Sequence, residues 1–142
     1  YAAAVHSVDR EALALARAKA MAAESERTGR APLDCFIQVS LDDDAGGHRG
    51  GTAPKEVPAL AEQLAGAAGL RLAGVMAVAP LGADPAAAFE ELAGISGRLI
   101  EQFPDATGIS AGMSQDLEQA VRFVATHLRV GSDILGPRPA LR

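Results

Sequence analysis

The sequence predicts a parallel α/β fold, a (β/α)8 TIM-type barrel of which this chain supplies about the last five strands. Three observations carry that reading. Short apolar runs alternate with helix-forming segments that have start and stop signals; the runs are apolar on successive residues, as strands buried on both faces are; and the last two runs each end in a glycine turn beside a serine. Such an order demands a parallel sheet with right-handed crossovers. Two architectures satisfy it: a complete doubly wound sheet of five strands, or part of a barrel that normally takes about 250 residues. Such barrels commonly hold phosphate in the loops after their last two strands, and the two glycine turns stand there, which favours the barrel.

In chain order, Ala2–Val5 reads as a first short strand and His6–Asp9 as its end followed by capping residues. Good helix formers run from Arg10 to about Arg27, with Leu13, Ala16, Ala20 and Met21 near helical spacing, until Thr28, Gly29 and Pro32 stop them. Leu33–Leu41 is a compact run with β-branched and aromatic members, a buried strand. The acidic, glycine-rich stretch 42–51 lacks the alternating oxygen ligands and terminal glutamate of a calcium loop, so it reads as a connection and not a metal site. Pro54 and Pro58 bracket a helix start, with Leu60 and Leu64 on one face. Leu70–Ala79 is the next strand. Asp84–Pro85 is a cap followed by a first-turn proline, and Phe89, Leu92, Leu99 and Phe103 mark the buried stripe of a helix stopped at Pro104. The last two strands fall near 107–110 and 127–130.

With 142 residues, 49% of them hydrophobic, the chain can bury a sizeable core, and residues 1–142 read as a single domain. Thirteen basic against 18 acidic residues give a net charge of −5 with no basic stripe, which argues against nucleic acid. The single cysteine, Cys35, excludes an internal disulfide and suits a reducing compartment, so the cytoplasm is the expected location. No run approaches the ~18 apolar residues of a membrane span. The chain opens on Tyr1 and enters an apolar run at once, which reads as a segment of a longer polypeptide whose missing N-terminal part completes the barrel. Full length, it is expected to be a monomer.

The chemistry concentrates in 109–138. Ile109–Ser110 ends a strand, Ala111–Gly112–Met113 turns the chain, and Ser114 stands where an N-cap would satisfy the amides of a following helix. Leu128–Val130 is a short strand containing Arg129, and Gly131–Ser132 turns it towards a second short helical segment, Asp133–Leu135. Two neighbouring strand ends would offer backbone amides and the hydroxyls of Ser114 and Ser132 to one anion, so the ligand should carry a phosphate. Taken singly, each feature has a plainer reading. Ser114 caps a helix, glycines end strands, and Arg129 in an apolar strand pairs with a neighbouring carboxylate.

HSVDR at 6–10, IQVS at 37–40, LAGVMAVAP at 72–80, ISAGMSQDLEQAV at 109–121 and LRVGSDILGPR at 128–138 resemble, in order and spacing, the pyridoxal phosphate homeostasis proteins, the YggS/PROSC family. The resemblance covers essentially the whole chain. It implies a barrel like the N-terminal domain of alanine racemase, with pyridoxal 5′-phosphate (PLP) at the C-terminal ends of the strands. It also implies that Ser114, Gly131 and Ser132 hold the phosphate and that Arg129 faces the pyridine nitrogen; Met113, in the turn before Ser114, is expected to flank the same site. The family function is non-catalytic: binding, buffering or delivery of the cofactor. The lysine that bonds the cofactor in that family lies on an earlier strand, and neither Lys19 nor Lys55 stands at a strand end. The family usually has asparagine where Ser40 stands and a glycine near Val124. The alternatives are a PLP-dependent amino-acid racemase of the same fold, disfavoured because Tyr1 is the only tyrosine to serve as a second base, and a barrel enzyme acting on another phosphorylated ligand.

Overall fold

The computed structural model describes residues 4–8, 11–29, 31–42 and 50–136. The elements are β1 (Ala4–Val8), α1 (Glu11–Thr28), β2 (Leu33–Gln38), α2 (Val57–Gly66), β3 (Leu70–Met76), α3 (Pro85–Gln102), β4 (Gly108–Ser110), α4 (Leu117–Arg122) and α5 (Ser132–Leu135). A single 3-10 turn, Pro54–Glu56, precedes α2. Residues 2–3 of the expected first strand, the cap at Asp9 and residues 43–49 of the acidic stretch lie outside the described residues.

The strands lie in the order β1-β2-β3-β4, each neighbouring pair parallel. Among the described residues, helix and strand residues meet on one face only. Cys35, Ile37 and Val75 pack there with Leu64, Phe89 and Leu92, whereas Phe36, Ala73 and Met76 cluster with Ala4 and no helical residue. Sequential parallel strand order with helices on one face differs from a doubly wound sheet, which reverses its order and covers both faces. The sheet is also curled. In a flat sheet with strands about 4.8 Å apart, β1 and β4 would stand roughly 14 Å from each other, yet His6 Nδ1 on β1 lies 2.7 Å from Ser110 Oγ on β4 across the helix-free face.

Two sequence expectations need correction. β1 continues to Val8, which is fully buried, instead of ending at Val5. The expected fifth strand at 127–130 is reduced to a single bridge, Ser110 to His127. It follows β4 for only a short distance, through Ala111 N–H to the His127 carbonyl (3.1 Å) and Arg129 N–H to the Gly112 carbonyl (3.0 Å), because β4 itself is three residues long before the chain turns.

The helix signals worked through ordinary capping chemistry. The Asp84 carboxylate accepts from the Ala86 amide (3.0 Å) ahead of α3, whose Phe89, Leu92 and Leu99 are buried. α4 ends in a Schellman turn, Val124 N–H to the Val121 carbonyl and Ala125 N–H to the Ala120 carbonyl, both 3.1 Å. That turn puts Val124 at φ 56, where glycine is the usual residue and a β-branched side chain is strained. Val124 is exposed, so little packing offsets the strain. Val124→Gly is therefore expected to raise stability by about 1 kcal/mol, read as a higher urea midpoint at unchanged m-value. Among the described residues, no helix is long and apolar enough to cross a membrane.

Candidate functional site

The loops at the C-terminal ends of β3, β4 and the Arg129 segment surround one cleft of about 750 Å³. Val78–Gly82 forms one wall, Met113–Asp116 a second, and Arg129–Gly131 with Leu135 and Gly136 the third. Parallel strands bring these loops to one end of the sheet, so residues far apart in sequence share the cleft.

Arg129 is half-buried, and among the described residues no carboxylate lies within ion-pair distance of it. Its guanidinium donates to the Ala77 carbonyl (Nη2 to O, 2.8 Å) and the Met76 thioether (Nη1 to Sδ, 3.3 Å), while its buried Nε–H has no partner among the described residues. Burial pulls its pKa down from the ordinary arginine value, and the field of Asp116 opposes that shift. The side chain still carries its proton at neutral pH. Among the described residues the salt bridge that a buried arginine suggests is thus absent, and the guanidinium lines the cleft.

Ser114 and Met113 line the same cleft, but Ser114 does not cap α4. Residues 114–116 form a turn and the helix begins at Leu117; Asp116 occupies the N-cap position, and its carboxylate reaches back to accept from the Met113 amide (2.7 Å). One amide of the turn is therefore already engaged by an anionic oxygen. Gly112 makes this turn possible: its φ is 89, and a Cβ there would sit 2.6 Å from the Ala120 Cβ. Gly131 differs, because neither a positive φ nor any atom within 4 Å demands glycine there, so that side of the cleft is open. Its carbonyl accepts from the amides of Ile134 and Leu135, which starts α5. Ser132 is the first residue of α5, next to Gly131; its side chain lies outside the description, as does that of Lys19. Lys55, in the 3-10 turn, does not line the cleft.

A polar cluster that the sequence did not reveal lies on the helix-free face. His6 bonds to the fully buried Ser110, its ring stacks on Phe36 at 4.2 Å, and His127 stands edge-on at 5.4 Å from His6 and 5.0 Å from Phe36. Burial holds the His6 pKa below its ordinary value of 6.5, and the charges of His127 and then Arg129 add to that. His6 and Ser110 are 104 residues apart, so only the curl of the sheet pairs them.

Residues 3–139 match the family model described as the alanine racemase N-terminal domain. The chain belongs to that family. Within it, the chain is 43% identical over 141 residues to a pyridoxal phosphate homeostasis protein of Corynebacterium glutamicum, a match that covers 98% of this chain and 63% of the relative. It is 45% identical over 138 residues to the protein of the same name from Mycobacterium tuberculosis, covering 94% and 52%. The chain thus spans between half and two thirds of the length of these relatives. Among solved structures it is similar to PipY of Synechococcus elongatus, without PLP (TM-score 0.78) and with PLP bound (0.75), at 31% identity over 94% of this chain and 61% of that one.

Proposed function

We propose that the polypeptide carrying this chain is a non-catalytic PLP-binding protein of intracellular PLP homeostasis, with the cofactor in the cleft around Arg129. The observation that carries this reading is the half-buried guanidinium with an unpartnered Nε–H at the C-terminal ends of parallel strands, in a chain 31% identical to a PLP-bound PipY. The cleft volume suits a cofactor of this size. Ser114 and the backbone at Gly131 and Ser132 would hold the phosphate, Met113 would flank it, and Arg129 would face the pyridine nitrogen. When bound, PLP supplies an electrophilic carbon and an electron sink, and an arginine at the ring nitrogen disfavours its protonation and weakens that sink. Such a site retains the cofactor and promotes little chemistry with it. The remaining wall, including the lysine that bonds the cofactor, belongs in this reading to the part of the relatives' length that the chain does not match, and would close the curled sheet into a (β/α)8 barrel.

The test uses the full-length polypeptide loaded with PLP and dialysed. A retained absorbance band above that of a protein lacking the site supports the reading. Optical rotation is then followed with single enantiomers of alanine, serine and glutamate. No sustained change is expected, and racemisation that requires the bound cofactor would establish the racemase instead. Ser114→Ala should remove one phosphate hydrogen bond, about 1–3 kcal/mol or roughly 5- to 150-fold in PLP affinity by equilibrium titration, with the fold unchanged.

A further inference from the structure

The cluster beneath the cleft suggests a role that rests on the anion-binding reading and goes beyond it. Ser110 occupies the last position of β4, just before the turn that leads to Ser114. Its side chain bonds to His6 (2.7 Å), its carbonyl accepts from the Ala77 amide (3.2 Å), and the Ala77 carbonyl accepts from Arg129 (2.8 Å). His6 is thus joined to the guanidinium through two strand ends, and the two side chains also feel each other's charge.

The other ionisable groups around His6 leave a second cation poorly compensated. His127 faces it edge-on, and Arg129 stands towards the cleft. Asp34, on β2, is engaged by Arg71 through two bonds of 2.6 Å, and Asp116, on another wall of the cleft, accepts from the Met113 amide and acts on Arg129 through its charge. Among the described residues, no uncommitted carboxylate faces the imidazole. An anion in the cleft would offset a proton on His6.

We propose that His6 is a proton-linked positioning residue of the cleft: anion binding and protonation of its imidazole favour each other, while its bond to Ser110 holds the strand ends that anchor Arg129. The coupling is reciprocal by thermodynamic necessity, so a factor measured in one direction must appear in the other. With the anion absent, burial favours the neutral imidazole. Because the His6 value is depressed, its contribution to stability is present above pH 6.5 and is lost as the pH falls through the folded value.

The full-length protein is titrated with sulfate, whose charge is fixed across the range used, while the imidazole resonances of labelled histidine are followed by NMR. The His6 midpoint should rise on saturation by about 0.3 to 0.7 in pH, and sulfate affinity should increase by about two- to fivefold between pH 8 and pH 5. His6→Asn, which can keep the bond to Ser110 but cannot take up the proton, should bind sulfate with that pH dependence removed. Arg129→Gln should raise the His6 midpoint without sulfate. An unmoved His6 midpoint, or a pH dependence that survives in His6→Asn, overturns the linkage and leaves the anion cleft standing. No sulfate binding at any pH overturns the cleft and the linkage together. Should His6→Asn fold poorly, the wild-type imidazole titration decides alone.

Discussion

Gly74→Ala is expected to prevent the full-length protein from reaching its native state, or to lower its stability by about 4 kcal/mol or more. Gly74 lies in the middle of β3 with φ 154, a conformation that L side chains rarely adopt. Space is the greater obstacle. An added Cβ would fall 1.8 Å from the Gly108 carbonyl oxygen and 2.5 Å from the Gly108 carbonyl carbon, both backbone atoms of the neighbouring strand. The β2–β3 register shifts just here, between Cys35 and Phe36, so β3 has little freedom to slide away. Gly108 is confined as well, since a Cβ there would meet Phe36 Cε1 at 2.6 Å. The control is Gly97→Ala: Gly97 is exposed in the interior of α3 with nothing within 4 Å, and alanine there should stabilise by about 0.5–1 kcal/mol. Urea unfolding of the two variants should therefore move in opposite directions. A Gly74→Ala protein with a native midpoint would show that β3 and β4 do not approach this closely.

The difference between these glycines marks what the sequence could convey. Local chemistry was legible: Asp84–Pro85 announces α3, Pro54 and Pro58 announce the start of α2, and the apolar runs locate β2 and β3, because each signal acts within one turn or one strand. Ser114 shows the limit of that logic. Ser114 and Asp116 can both cap a helix, and the choice depended on the Met113 amide, which only the folded turn presents to the Asp116 carboxylate. The short pairing of the Arg129 segment was likewise hidden, because it reflects how soon β4 turns away and not the β propensity of Leu128–Val130. His6 was legible only as a strand end. A histidine between Val5 and Ser7 does not show which face of a curled sheet it occupies, and its partner is 104 residues away.

Arg129→Gln is expected to weaken PLP binding by the full-length protein by about 10- to 150-fold, the loss of hydrogen bonding from a charged donor. Its effect on folding should have the opposite sign or be close to nil. The guanidinium is half-buried, with no carboxylate at ion-pair distance among the described residues; its Nε–H has no partner there, and burial works against its charge. Removing such a charge from a desolvated place relieves a penalty, whereas removing one member of a buried ion pair would leave its partner stranded. Glutamine keeps a polar end within reach of the Ala77 carbonyl, so the strand end loses little support. Melting temperature and cofactor affinity should therefore separate: the variant should melt at or above the wild type without PLP and gain less from added PLP, because ligand stabilisation follows affinity by mass action. If Arg129→Gln lowers the melting temperature without cofactor and leaves PLP affinity intact, the arginine is a structural prop and the cleft must bind by other means.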